Sequence, residues 1–101
     1  MSWHDAVRVR DVRKGSRKHV TIEGRELSLI HTDEGVFCVD FRCPHTGGPL
    51  GEGLVEDGSI TCPLHKWRFD LRDGTHTRSK NCPPAGVYAL RLNGDVIQVE
   101  L

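Results

Sequence analysis

The distribution of apolar and polar residues along the chain predicts short β-strands and no long helix. Segments 20–23 and 66–71 alternate apolar and polar side chains with a period of two, as half-buried strands do. Segments 27–30 and 36–41 are mainly apolar and partly β-branched, which also favours strands. No stretch of ten or more residues carries a convincing helical stripe of apolar side chains.

Turn signals separate these segments at fairly regular intervals. Asp-Gly and Asn-Gly pairs favour tight hairpins because these residues tolerate a positive φ. In the clearest hairpin, segment 87–92 turns at Asn93-Gly94 and segment 96–101 returns, with alternate apolar residues on one face. Many short strands with turns between them predict an all-β fold of antiparallel sheets, forming a small sandwich or barrel. The turn signals are Glu23-Gly24, Asp33-Glu34-Gly35, Asp57-Gly58, Asp73-Gly74 and Asn93-Gly94.

Size and charge narrow the functional classes. The 101 residues contain no Pro/Ser/Gly-rich linker, so we expect a single domain over 1–101. Lys plus Arg and Asp plus Glu both number 14, which argues against a nucleic-acid partner. No apolar run approaches the length of a membrane span and residues 1–4 do not begin a secretory signal, so we expect a soluble, cytoplasmic protein with no membrane partner. A basic run near the amino terminus is expected to be a solvated face, with a docking patch as the alternative; it comprises Arg8, Arg10, Arg13, Lys14, Arg17 and Lys18.

The chemistry of the chain is concentrated in two cysteine–histidine pairs. Cys43-x-His45 is followed, after sixteen residues, by Cys62-x-x-His65. Thiolate and imidazole bind borderline-soft metals, so the four side chains suit either one zinc ion or a two-iron, two-sulfide cluster. A zinc finger usually pairs Cys with Cys and His with His along the chain, with at least two residues between partners. The mixed order and the tight first pair favour the cluster.

The residues around these four side chains fit a cluster site. Pro44 and Pro63 fix φ directly after each cysteine and stiffen the two loops. Gly47, Gly48 and Gly51 permit the backbone of the first loop to approach a cluster closely. We therefore expect amide N–H groups of this loop to point at sulfur, where they would stabilise the negative charge of the cluster.

The motifs "CPHTGGPL" and "CPLHKWRFD" resemble those of Rieske-type [2Fe–2S] domains, and the resemblance covers nearly the whole chain. It implies a Rieske-type fold whose cluster-binding loops, at about 43–51 and 62–67, form a subdomain. It also implies one [2Fe–2S] cluster per chain, with Cys43 and Cys62 on the buried iron and His45 and His65 on the outer iron.

The chain departs from the high-potential members of that family. Those proteins carry an additional cysteine in each loop, where this chain has Gly48 and Leu64, so the disulfide between the loops is impossible here. They also carry hydroxyl donors where this chain has Trp67 and Phe69. Fewer donors stabilise the reduced cluster less, and we expect a potential at the low end of the Rieske range, roughly −150 mV.

The resemblance implies an electron carrier rather than an enzyme, because the chain contains no motif for a nucleotide, a substrate pocket or a mononuclear iron. The expected partners are a flavin-dependent reductase and a terminal oxygenase. An alternative is the small subunit of an NAD(P)H-dependent nitrite reductase, whose partner would be the large subunit. An alternative of another class is a zinc-stabilised interaction module.

Two further cysteines and one tryptophan lie outside the set of four candidate ligands. Cys38 lies in a predicted strand, and we expect it to be a small buried apolar residue. Cys82 lies in a predicted loop, directly before Pro83-Pro84. Trp67 alternates with other apolar residues, which favours packing in the core, but its position two residues after His65 also allows a part in the apolar surface around the cluster.

Overall fold

Three small antiparallel sheets make up the structure, a computed structural model that describes residues 2–78 and 80–101. Two 3₁₀-helices, Val9–Asp11 and Leu50–Glu52, lie between strands. The predicted all-β class and the predicted sandwich of antiparallel sheets are confirmed. The strands are β1 (Trp3–Arg8), β2 (Arg17–Ile22), β3 (Arg25–Thr32), β4 (Gly35–Asp40), β5 (Leu54–Glu56), β6 (Ser59–Thr61), β7 (Arg68–Asp70), β8 (Val87–Tyr88), β9 (Leu90–Asn93) and β10 (Val96–Glu100).

The order of strands separates a two-sheet body from a smaller third sheet. The first sheet has the order β1-β10-β9, and the second has the order β2-β3-β4-β8. The third sheet, β5-β6-β7, carries the two cysteine–histidine loops next to its strands, because the first loop precedes β5 and the second connects β6 with β7. This third sheet with its loops is the predicted cluster-binding subdomain.

Two of the predicted turns form tight hairpins of the expected kind. Glu23 and Gly24 have φ values of 51° and 77°, and Asp57 and Gly58 have φ values of 51° and 74°. Two consecutive positive φ values match the right-handed twist of the flanking strands. The last turn is displaced by one residue from the prediction, because Asn93 still pairs with Val96 and the chain reverses in the two residues between them.

The predicted continuous strand over 87–92 is wrong, because the chain leaves one sheet and enters another at Ala89. Val87–Tyr88 pairs with β4 in the second sheet, whereas Leu90–Asn93 pairs with β10 in the first. The carboxylate of Asp40 accepts hydrogen bonds from the Gly86 N–H and the Tyr88 hydroxyl, which fixes the chain before the switch. Period-two alternation continues through such a switch, so the sequence does not reveal it.

The second sheet is buried on both faces, and each face has its own core. Against the first sheet, β3 and β4 contribute Leu27, Leu29 and Cys38; against the third sheet they contribute Ile30 and Val39. Burial of both faces explains why these two strands read as apolar runs rather than clean alternations. Cys38 is 2% exposed, as expected, and burial raises the pKa of its thiol to about 12.

No helix within the described residues has the length and apolar character needed to cross a membrane.

Candidate metal centre

The two cysteine–histidine loops have the same backbone hydrogen bonds. In each loop the cysteine N–H donates to the carbonyl five residues later, and the cysteine carbonyl accepts from the amide four residues later. The two cysteine–histidine motifs therefore form the same backbone turn twice. The bonds are Cys43 N to Gly48 O (2.8 Å), Gly47 N to Cys43 O (2.7 Å), Cys62 N to Trp67 O (2.8 Å) and Lys66 N to Cys62 O (3.0 Å).

Each turn requires a left-handed residue four positions after its cysteine. That residue is Gly47 in the first loop, with φ of 74°, and Lys66 in the second, with φ of 61°. The histidines are not at matching positions, because His45 follows its cysteine by two residues and His65 by three. Their rings nevertheless lie together, with centroids 5.5 Å apart and planes at 68°.

Burial divides the four predicted ligands into two pairs. Cys43 and Cys62 are 3% and 1% exposed and belong to the core between the second and third sheets. His45 and His65 are exposed. Two thiols inside and two imidazoles outside form the donor set that a two-iron cluster with unequal irons requires, so these residues fit such a group.

The arrangement differs from a mononuclear metal site. Within the described residues, no three His, Cys, Asp or Glu side chains are grouped as ligands of a single ion. A two-iron cluster needs only two protein ligands on each iron, since bridging sulfides complete the coordination. The ligand assignment itself stays a prediction.

The three glycine amides of the first loop donate to oxygen atoms of the chain, so any amide contacts to cluster sulfur, which stay a prediction, would come from other residues. Gly47 donates to the Cys43 carbonyl at 2.7 Å, Gly51 donates to the Phe41 carbonyl at 2.9 Å, and Gly48 donates to the Thr46 hydroxyl at 3.2 Å. The loop satisfies its amides through its own turn, which leaves these three unavailable to a cluster. Within the described part of the chain, amides without a hydrogen-bond acceptor include those of the loop tips, His45 and His65.

Trp67 packs against the core, as expected, and also contacts a predicted cluster ligand. Its side chain is half-buried and packs against the core between the second and third sheets. Its ring also stacks on the His45 ring, with centroids 3.7 Å apart and planes at 9°. The Trp67 ring also contacts the His76 ring, at a centroid distance of 5.0 Å, and His76 Nε2 is 2.9 Å from the Cys82 carbonyl oxygen. The contact with His76 could not be found from the sequence, because no spacing rule links these positions.

The two loops touch at the positions where high-potential relatives carry their bridging cysteines. A Cβ atom built on Gly48 would lie only 2.4 Å from Leu64 Cδ1, so Leu64 lies directly on the glycine backbone. The leucine is 55% exposed. A noncovalent apolar contact thus joins the loops in this chain.

Arg17 supports the first loop from the second sheet. Its Nη1 donates to the carbonyl oxygens of Gly51 (2.8 Å) and Gly53 (2.6 Å). These carbonyls lie at the end of the 3₁₀-helix Leu50–Glu52. The same helix packs closely against Phe41, because a Cβ atom built on Gly51 would lie 2.4 Å from Phe41 Cδ1. Arg17 is exposed, as expected for the basic run, and its guanidinium in addition makes these two hydrogen bonds, which the sequence did not predict.

Comparison with known proteins agrees with this site. The family model described as the Rieske [2Fe-2S] domain matches residues 2–91. The chain is 35% identical over 101 residues to the ferredoxin component of the naphthalene 1,2-dioxygenase system of Pseudomonas putida, and the alignment covers 100% of this chain and 97% of that protein. The resemblance noted in the sequence is confirmed.

Solved structures show the same fold. The ferredoxin of carbazole 1,9a-dioxygenase from Nocardioides aromaticivorans matches with a TM-score of 0.85 at 24% identity, over 98% of this chain and 97% of that one. A protein described as an NADPH nitrite reductase small subunit matches with a TM-score of 0.84 at 19% identity, over 100% of both chains. At such identities the matches establish the fold alone, and the fold is common to both functional alternatives.

Proposed function

The chain belongs to the Rieske [2Fe–2S] domain family, and from this membership we propose that it is the ferredoxin component of a dioxygenase system. It carries one [2Fe–2S] cluster and transfers electrons rather than catalysing a reaction of its own. We propose that it receives electrons from a flavin-dependent reductase and passes them to a terminal oxygenase.

Four residues are proposed to hold the cluster. Cys43 and Cys62 would bind the inner iron, and His45 and His65 would bind the outer iron. When bound, such a cluster accepts and releases one electron at a time. The chain supplies the geometry: the core excludes water from the two thiols, while the two imidazoles lie at the surface, where a partner can approach.

One observation carries the proposal: two exposed histidines have their rings 5.5 Å apart, and the two buried cysteines begin paired turns of identical hydrogen bonding. We infer from the paired turns that each loop supplies one thiolate and one imidazole to the cluster. Full-length similarity to a ferredoxin component supports the carrier role, because the relative has little additional sequence outside the match.

The sequence comparison favours the dioxygenase alternative over the nitrite reductase alternative. The relative at 35% identity is named as a dioxygenase ferredoxin component, whereas the nitrite reductase small subunit is similar at 19% identity, in fold only. The family match also disfavours the zinc module, because the motif that carries it belongs to an iron–sulfur domain.

The test begins with iron, acid-labile sulfide and zinc analysis of purified protein, followed by EPR after reduction. We expect iron and sulfide in equal amounts and a rhombic signal with a low average g value. Protein with stoichiometric zinc and no iron would support the interaction module. Reduction by NADH through the flavin-dependent reductase of a dioxygenase system, but not through a nitrite reductase large subunit, would then distinguish the two carrier alternatives.

A further inference from the structure

Lys66 occupies a backbone position that favours glycine. It is the left-handed residue of the second loop, with φ of 61°, and its counterpart in the first loop is Gly47, with φ of 74°. Side chains of L-residues rarely adopt this conformation. The turn itself would favour glycine at this position. The exposed lysine next to His65 therefore points to a role for the charge of its side chain.

The sequence around the two loops contains cations and no acids. Segments 43–51, 62–68 and 74–82 include no Asp or Glu. Of their cations, Arg68 lies 4.0 Å from Asp57, whereas no carboxylate of the described residues lies within ion-pair distance of Lys66, Arg78 or Lys80. The formal net charge of the chain is zero, so a positive loop region implies an excess of negative charge elsewhere.

The third segment lies against the second loop through His76. The His76 ring contacts Trp67, the neighbour of Lys66, at a centroid distance of 5.0 Å, and the Arg78 N–H donates to His76 Nδ1 at 3.2 Å. The exposed Leu64 adds an apolar element to the same region. An apolar centre with cations beside it is the composition of a docking surface rather than of a solvated face.

We propose that this cationic tip, comprising Lys66 next to His65 and Arg78 next to His76, docks onto a carboxylate-rich protein surface around the electron-entry site of the terminal oxygenase that accepts the electron. The proposal rests on the proposed electron-carrier function. Opposite charges at the two electron-transfer sites accelerate and orient the encounter, and they disfavour partners with a cationic surface.

The test uses two protein probes of opposite surface charge, cytochrome b5, which is acidic, and cytochrome c, which is basic. Stopped-flow kinetics would follow electron transfer from the reduced holoprotein to each cytochrome as ionic strength rises. We expect the second-order rate constant to fall with salt for cytochrome b5 and to rise with salt for cytochrome c. At low salt, Lys66→Glu should lower the rate constant for cytochrome b5 by about tenfold.

Two controls make the outcome decisive. Lys66→Arg keeps the charge and should keep the wild-type rate, and Arg10→Glu makes the same charge change on an exposed residue of the 3₁₀-helix that follows β1. If Lys66→Glu and Arg10→Glu had equal effects, or if the salt dependences were reversed, the docking proposal would be overturned. The carrier function would survive either result, because its own failure would appear as a missing cluster signal in the wild-type protein.

Discussion

The two cysteine–histidine loops share one turn but differ in what surrounds it. Both loops bond the cysteine amide and carbonyl in the same pattern, and both place the cysteine in the core. The first loop has glycine at its left-handed position and is supported by Arg17. The second has lysine there and continues into Trp67 and β7. The comparison teaches that the shared backbone turn fixes the position of each cysteine, whereas the side chains that differ between the two turns set the imidazole positions and the surface charge.

The largest expected effect tests the equivalence of the two turns. Cys43→Ser and Cys62→Ser should each abolish cluster assembly almost completely, because each removes one of the two thiolates proposed to bind the same iron. Iron and sulfide analysis together with the visible spectrum would measure the loss. Cys82→Ser is the matched control, since this half-buried cysteine lies outside both turns. A normal cluster spectrum in either of the first two variants would refute the ligand assignment.

Removing the support of the first loop should be the next largest effect. Arg17→Met keeps much of the side-chain volume but deletes the hydrogen bonds to Gly51 and Gly53. We expect the free energy of unfolding to fall by about 2 kcal/mol, because two backbone carbonyls lose a charged donor. Urea unfolding would measure the change. Lys18→Met, which changes the neighbouring exposed cation on β2, should alter it by less than about 0.5 kcal/mol. Equal effects would show that the hydrogen bonds of Arg17 do not stabilise the loop.

Trp67 links the two loops, because it belongs to the second loop and its ring stacks on the histidine of the first. Trp67→Leu should destabilise the protein by about 1.5 kcal/mol through lost packing and ring contact. It should also shift the EPR g values, because the His45 imidazole would lose the surface that orients it. Trp67→Phe keeps an aromatic face and should restore most of the wild-type spectrum. Identical spectra for the leucine, phenylalanine and wild-type proteins would show that the stack does not orient His45.

The smallest effect concerns the left-handed position itself. Lys66→Gly should raise the free energy of unfolding by about 0.5 kcal/mol, since relief of strain in the folded turn outweighs the greater flexibility of the unfolded chain. In the first loop, Gly47→Ala should lower it by about 1 kcal/mol. Both changes would be measured by urea unfolding, and the cluster spectrum should persist in both. A loss of stability in Lys66→Gly would mean that the lysine side chain itself stabilises the loop.

The sequence predicted the candidate ligands of the site better than the long-range contacts that hold the two loops in place. Period-two alternation, turn residues and cysteine–histidine spacing are local signals, and they predicted the all-β class and the strands other than β1, β5 and β6. The switch of sheets at Ala89, the reach of Arg17 to Gly51 and the contact of His76 with Trp67 all join distant positions. Such contacts depend on how the sheets pack together, and no periodicity or spacing encodes them.

The central claim is that both thiolates bind one iron and both imidazoles bind the other. Pulsed EPR of the reduced protein, with ¹⁵N introduced selectively into histidine, tests it most directly. We predict hyperfine coupling from two histidine nitrogens, of which one is lost in His45→Cys and the other in His65→Cys. A spectrum without coupled histidine nitrogen, as expected for thiolates on both irons, would contradict the account.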